Sequence, residues 1–487
     1  MIPNVEREFG SYARMAEEFR FTDVYDQTDW DAPDRLNVAH EACDRYADGR
    51  GRLAMRHVDR SGNERAATYD DLAAESNRFA NALTDLGVGP GDRVFTYLPR
   101  VPEHFVTLLG TLKAGAVFGA INERYGVDGI SYRLADSGAS VVVTTGRNVE
   151  TVASALGTED DVEDVVVVED VTGDGDVPDD VGGDGRHYRD YAQTVDESDD
   201  DFATVETAGT DDCLLYYTSG TTGRPKGVVH THGWITMAAT LARYVEDLTA
   251  EDRYWSTADM GWLTGPLHSL GPWFWGYEVF VYEGEFDATR WLELLGRHDV
   301  TVFHTVPTVY RSFREAGGAI DRDGLALRHA TSVGEPLEPA TIDWVESNLG
   351  VLVHDTYGQT ECGGVVVTNV PGVEVRRGSM GVPMPGADVE VVDAETATVL
   401  EPNETGQIAW RSGSPAYFEE YWGRPGLKEE SVVDGWYLSG DLAYRDEDGY
   451  FWFEGRADDV ILSSGYRIGP FEVEKAIAAH PAVAESA

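Results

Sequence analysis

The densest chemistry in the chain lies between Tyr216 and Val228, where an apolar strand opens into Thr218, Ser219, Gly220, Thr221, Thr222 and Gly223 and closes on Arg224, Pro225 and Lys226. Glycines carry no Cβ to hold a ligand off the main chain, so their N–H groups approach an anion closely; hydroxyls add donors, and a lysine adds a cation. Such a segment suits the phosphate chain of a nucleotide. A Walker A loop would place Gly-Lys-Ser/Thr at a fixed distance after its first glycine, whereas here Pro225 and Lys226 follow Arg224, which disfavours the P-loop kinases and GTPases. The bland alternative is a flexible Ser/Thr/Gly turn, and the length of the pattern counts against it.

Other acids and histidines are less specific by themselves. Glu361 follows Gln359 and Thr360, where a lone carboxylate is ordinarily a solvated acid, and Asp441 follows Ser439 and Gly440, where an Asp reads as a turn residue. His230 and His232 form an HxH pair, which without further ligands is packing more often than a metal site. Cys43, Cys213 and Cys362 stand far apart with no CxxC spacing, so neither a disulfide framework nor a cysteine zinc site is expected, and a reduced intracellular compartment fits.

The elements that must hold these groups read as α/β. Between Thr68 and Thr145 an amphipathic stretch, a GPGD turn, the strand RVFTYL, a second helix and the buried strand SVVVTT alternate. Residues 159–212 are rich in Asp and Gly around one apolar strand, VVVVED, and read as solvated loops. Helix and strand alternation resumes from Cys213 to Asn369, and from Gly381 to Phe453 short β-runs separated by turns predict a small barrel or meander. A new unit opens after Arg456 with the strand VILSS, a GYRIGP turn and a helix. At 487 residues two or more domains or subdomains are expected.

The formal charge of −49 is spread along the whole chain, which makes nucleic acid an unexpected partner. Lys113, Lys226, Lys428 and Lys475 are the four lysines, and the other strongly basic residues are arginines. That balance fits a cytosol of molar salt, where a Debye length of about 3 Å screens self-repulsion. The hydrophobic content of 42% is that of a globular enzyme. An acidic N-terminus without a signal-peptide pattern, and the lack of any ~18-residue apolar run, predict a soluble cytoplasmic protein.

With the loop at Tyr216–Val228 in place, further segments make the chain resemble the acyl-adenylate-forming superfamily, and within it the acetyl-CoA and medium-chain acyl-CoA synthetases. These are WSTADMGWLTG (Trp255–Gly265), TSVGEPLEP (Thr331–Pro339), HDTYGQTECGG (His354–Gly364), WYLSGDLAYRDEDGY (Trp436–Tyr450) and GRADDVILSSGYRIGPFEVE (Gly455–Glu474). The resemblance runs from about Val38 to the last residue.

It implies an ATP-dependent, AMP-forming acid:CoA ligase, with ATP, Mg2+ and coenzyme A required and possible assembly into a homo-oligomer. It also implies a large N-terminal domain over 1–457, comprising α/β subdomains at about 38–210 and 211–380 and a small β-barrel at 381–457. The start of a mobile α+β domain would follow at 458–487.

Residue by residue, the resemblance sets adenine against Gly334, Glu335 and Pro336, with Asp355, Thr356, Tyr357, Gly358 and Gln359 on the opposite wall. Thr360 would touch the α-phosphate and Glu361 would hold Mg2+. Asp441 and Arg456 would take the ribose, Arg467 a phosphate, and Asp458 would be the hinge. Thr264, Ser464, Gly465 and Tyr466 would line the pantetheine tunnel, with Arg147 a candidate for the coenzyme A 3′-phosphate. The acyl pocket would be formed by Trp262, Leu263, Thr264, Val333 and Gly358. Relatives restricted to acetate carry a tryptophan where this chain has Gly358, which implies an acid larger than acetate: propionate, a branched or medium-chain acid, or an aryl acid. Aromatic neighbours that refill that space, among them Trp273, Phe274, Trp275 and His268, would restore the limit.

Family members continue for on the order of 100 residues beyond this end, and that portion carries the lysine that orients the carboxylate for adenylation. No lysine here stands in a matching motif, so a truncated chain is expected in preference to a new catalytic solution. Two rival readings are an adenylating enzyme that stops at acyl-AMP or loads a carrier protein, and a non-catalytic nucleotide-binding protein.

Overall fold

A computed structural model describes residues 2–157, 160–169, 185–218, 224–316 and 322–457, with backbone alone for Asp323 and for the strands Ile461–Ser463 and Tyr466–Ile468. Three large sheets and their covering helices form a mixed α/β fold, and Ile461–Ser463 and Tyr466–Ile468 pair as a separate two-stranded sheet. Among the described residues, no helix is long and apolar enough to cross a membrane.

The first sheet has seven strands. Its core strands Arg93–Tyr97, Val117–Ala120, Val141–Thr145 and Asp164–Val168 run parallel. VVVTT and VVVV are continuous β-branched runs because helices cover both faces of this sheet and every position is buried. The helix Tyr69–Asp85 starts at a capping box in which Thr68 and Asp71 exchange hydrogen bonds, satisfying first-turn N–H groups that have no partner inside the helix. The strand His187–Asp190 at the sheet edge and the helix Tyr191–Asp196 lie where the sequence reads as loops. Both are short, and the edge strand lacks the apolar alternation that marks a half-buried strand.

The antiparallel pair Asp212–Thr218 and Lys226–Thr231 closes the other edge of this sheet. Thr218 stands opposite Lys226, so the two described residues that flank the Ser/Thr/Gly segment face each other.

The second sheet has nine strands. Its parallel centre is built from Tyr254–Ser256, Val302–Thr305, His329–Val333 and Val353–Tyr357. The hairpin Leu53–Val58/Glu64–Thr68 pairs in parallel with Val279–Tyr282 and forms the far edge of this sheet. The helix Pro339–Leu349 begins with proline at its first turn and ends on Gly350 in the left-handed conformation, as expected of a residue without a Cβ at a helix C-terminus.

The third sheet is the antiparallel meander expected from the turn-punctuated β-runs: Val389–Val392, Gly406–Arg411, Trp436–Arg445 and Phe451–Arg456, with Val432–Val433 at one edge. Its long strand Trp436–Arg445 carries Asp441 to the mouth of the second sheet.

Candidate active site

The C-terminal ends of the parallel strands His329–Val333 and Val353–Tyr357 face the third sheet across a cleft of about 290 Å³. In an open α/β sheet, the carboxyl ends of the strands are where loops diverge and leave a crevice. Gly334, Glu335 and Pro336 form one wall, Asp355, Thr356, Tyr357, Gly358 and Gln359 another, and Asp441 and Arg456 approach from the meander. These ten residues, far apart in the chain, are the nucleotide-site candidates that the fold brings together. Met380 and Phe453 also line the cleft and were missed: an apolar residue beside a nucleotide carries no donor or charge to mark it in a sequence.

Asp441 is the hub of this cleft. Its Oδ2 accepts hydrogen bonds from the Tyr357 hydroxyl at 2.7 Å and from Gln359 Nε2 at 2.6 Å, while its Oδ1 pairs with Arg456 Nη1 at 3.0 Å. The antiparallel register sets Asp441 directly opposite Arg456. Its side chain is only 8% exposed, so this acid is fixed in direction and is not an ordinary turn residue. Two oriented carboxylate oxygens form an acceptor pair that matches a vicinal diol.

Around the adenine candidates the geometry is equally definite. Gly334 adopts φ +94°, and no atom lies within 4 Å of the place its Cβ would take; glycine is required there by backbone conformation. The Glu335 carboxylate accepts from the Thr308 hydroxyl at 2.7 and 2.9 Å and from Arg311 at 2.7 Å. Burial pushes the Asp355 carboxyl up to about 8, because a charge removed from water is penalised.

A second group of candidates lies at the end of the hairpin. Glu361 Oε1 accepts from the Tyr421 hydroxyl at 3.0 Å and from Thr218 Oγ1 at 3.4 Å. Its pKa is raised by burial, which outweighs the opposing hydrogen bonds and the attraction of Lys226. Lys226 Nζ lies 5.1 Å from the centre of the Tyr421 ring. A buried carboxylate that resists ionisation gains from a cation beside it, and this oxygen donor set suits Mg2+. Thr360 contributes its carbonyl to the turn that Gly363 N–H closes at 2.9 Å. Tyr421 was not singled out in the sequence, because its partners Glu361 and Lys226 are remote along the chain.

The acyl-pocket candidates are distributed differently. Leu263 and Val333 are buried, Thr264 opens the helix Thr264–Phe274, and Trp262 is 47% exposed with its ring 6.4 Å from that of Tyr125. A Cβ on Gly358 would overlap the carbonyl oxygen of Gly364 and crowd the Cα of Val365, so main chain takes the volume on that side. Trp273, Phe274 and His268 are buried in the same helix.

Ser219, Gly220, Thr221, Thr222, Gly223, Asp458, Ser464 and Gly465 lie outside the described residues, and Tyr466 and Arg467 fall in a strand described by backbone alone. Arg147 forms an ion pair with Glu123 at 2.9 Å. His230 and His232 are both fully buried, and burial pushes them down to about 3 and about 4. His232 Nδ1 accepts from Val38 N–H at 3.1 Å while His230 packs toward Trp234, so the pair has separate packing environments. The three cysteines are free and buried.

The chain belongs to the AMP-binding enzyme family, whose model matches residues 43–422. It is 37% identical to the acetyl-coenzyme A synthetase of Bacillus subtilis over 93% of this chain and 78% of that protein. It is 32% identical to the mitochondrial acyl-coenzyme A synthetase ACSM3 of Rattus norvegicus over 99% and 81%. Among solved structures it is similar to an acyl-CoA synthetase of Brucella canis, with 34% identity, a TM-score of 0.83, and coverage of 98% of this chain and 85% of that one. It is also similar to the anthranilate CoA ligase AuaEII in complex with anthranoyl-AMP, with 27% identity, a TM-score of 0.83, and coverage of 93% and 84%.

Proposed function

We propose that this protein is an AMP-forming acid:CoA ligase. A carboxylate oxygen attacks the α-phosphorus of ATP, pyrophosphate leaves, and the thiol of coenzyme A then attacks the acyl carbonyl and releases AMP. The observation that carries the nucleotide half of this reading is the fixed Asp441 carboxylate, held by Tyr357, Gln359 and Arg456 at the mouth of a cleft walled by residues 334–336 and 355–359.

The physical difficulty is that two anions must meet. Neutralisation and positioning supply most of the acceleration in such transfers. Asp441 would take the ribose hydroxyls, the two walls would hold adenine, and Lys226 with the hairpin-end main chain would draw charge from the phosphates. Glu361, with Thr218 nearby, would hold Mg2+, which when bound offsets phosphate charge. Thr360 would contact the α-phosphate. No protein nucleophile is needed in either half-reaction.

In this reading residues 1–457 form the nucleotide-binding body, with subdomains at 38–210, 211–380 and 381–457. The chain from 458 turns about Asp458 between half-reactions and brings Ser464, Gly465, Tyr466 and Arg467 to the tunnel and phosphates. The enzyme works in a cytoplasm of high salt. The absence of a tryptophan at 358, where the Gly364 main chain and not an aromatic ring forms the wall, is the ground for an acid larger than acetate, bounded otherwise by Trp262, Leu263, Thr264 and Val333. The test is a panel from acetate to C8 and benzoate, assayed in molar KCl for AMP formation with and without coenzyme A. Acid-dependent AMP and acyl-CoA are expected; AMP formation without acyl-CoA would overturn the coenzyme A assignment, and acetate as clear favourite would overturn the reading of Gly358.

A further inference from the structure

Away from the nucleotide cleft, three metal-ligating side chains from three separate elements converge in the core. Glu246 follows the helical turn Leu241–Val245, His268 lies on the helix Thr264–Phe274, and His304 lies on the central strand Val302–Thr305. Their ligand atoms all lie within 4.8 Å of one another, and the residues are 1%, 4% and 3% exposed.

A carboxylate buried this deeply needs positive compensation. Among the described residues, no lysine or arginine lies within ion-pair distance of Glu246; its partners at that range are His304 Nδ1 at 3.3 Å and His268 Nδ1 at 3.7 Å. Both imidazoles turn the same nitrogen toward the same carboxylate oxygen. Two hydroxyls complete the ring: Thr331 Oγ1 lies 2.9 and 3.0 Å from the Glu246 oxygens and 2.8 Å from His304 Nδ1, and Tyr254 OH lies 2.5 Å from His268 Nδ1.

We propose that Glu246, His268 and His304 form a binding site for a late first-row divalent cation, zinc above others, with the Tyr254 hydroxyl or a water as fourth ligand. Imidazole nitrogens select zinc, copper or nickel, whereas Mg2+ and Ca2+ favour all-oxygen surroundings. Bonds of about 2.0 Å to a tetrahedral zinc put neighbouring ligand atoms roughly 3.3 Å apart; the separations of 3.3 and 3.7 Å already approach this edge. The two imidazoles lie with centroids 3.7 Å apart and planes 30° from parallel, so loading requires them to fan open until both Nδ1 lone pairs meet at one point.

The ion would bolt the helix that begins at Thr264 to the central strands of the second sheet. Its role is structural, because nothing in the proposed ligase chemistry passes through these three residues.

The test is metal analysis of the full chain, expressed with zinc in the medium and desalted to remove loosely held Mg2+. About one tightly bound equivalent of zinc is expected, lost in Glu246→Gln and in His304→Asn. Removal of zinc by a chelator should lower Tm reversibly, and Co2+ loading should give the intense visible absorption of a four-coordinate site. His304→Tyr, which keeps an aromatic ring against His268, guards against misfolding: it should fold, as judged by circular dichroism, yet carry no metal. A wild-type chain that takes up neither zinc nor cobalt, or variants that retain full metal, would overturn the proposal. Acid-dependent AMP formation is scored separately, so failure of the ligase reading leaves the metal result interpretable.

Discussion

Gly358 and Gly364 lie in one loop that folds back on itself, so that the direction a side chain would take from Gly358 is occupied by the Gly364 carbonyl. Gly363 and Gly364 adopt φ +78° and +143°, conformations that L side chains rarely enter. The loop therefore joins Glu361 to the pocket wall through a fold-back that depends on glycine at several positions.

Gly358→Trp is expected to displace this loop and not merely to add a floor to the acid site. Overpacking of this kind costs about 1–3 kcal/mol or more, so Tm and ATP affinity should fall together. Differential scanning calorimetry and titration with ATP check this; an undiminished Tm accompanied by a clean switch to acetate would show that the loop yields easily.

Asp441→Ala removes an acceptor shared by three donors, and hydrogen bonds to charged groups contribute about 1.5–3 kcal/mol each. A rise in Kd for ATP of about 10- to 100-fold is expected, with coenzyme A binding little changed. Asp441→Asn should fall between, since one carboxylate oxygen is replaced by a donor that faces Arg456 or Tyr357 unfavourably.

The raised Asp355 carboxyl predicts a pH dependence of stability. The unfolded chain ionises this group near 3.8, whereas in the folded state it holds its proton up to about 8. Between those values the native state binds more protons than the unfolded one, so this group's contribution falls as pH rises through the window. Tm measured from pH 4 to 8 should therefore decline less steeply for Asp355→Asn than for wild type. Parallel curves would refute the assignment.

Glu361→Gln should weaken Mg2+ binding, raising the concentration needed for half-maximal AMP formation about 10-fold or more, with ATP binding measured without metal nearly unaffected. Lys226→Met, in contrast, should weaken nucleotide binding whether or not Mg2+ is present.

With a formal charge of −49, the folded chain repels itself most at low ionic strength. Tm is expected to climb as KCl is raised from about 0.1 M to above 1 M, as the Debye length falls from about 10 to 3 Å. A flat profile would argue against adaptation to molar salt.

The α/β class was legible from the alternation of helix and strand patterns, whereas the cleft residues 334–336 and 355–359 and Asp441 were legible only through the family resemblance of the short contiguous motifs that hold them, since an Asp after Ser439 and Gly440 reads by itself as a turn residue. What could not be read were contacts made between segments. Tyr421 reaches Glu361 across sixty residues, and Met380 and Phe453 line the cleft with surfaces that any core residue would offer. The edge strand His187–Asp190 takes its pairing from its neighbour Asp164–Val168, a tertiary cause that local periodicity does not register. The convergence of Glu246, His268 and His304 was equally invisible, since only the packing of a helix on a sheet brings them near.

On the two strands that hold Asp441 opposite Arg456, Ala457 N–H donates to the Gly440 carbonyl at 2.8 Å. That bond is the neighbouring rung to the one that carries the ribose candidates. The ladder that aims the Asp441 carboxylate therefore includes the backbone of Ala457, and under the proposed function a sugar seated at Asp441 would brace it. If Asp441 takes the ribose as proposed, the grip on the nucleoside and the last described rung of this strand pair, at Ala457, share one strip of backbone.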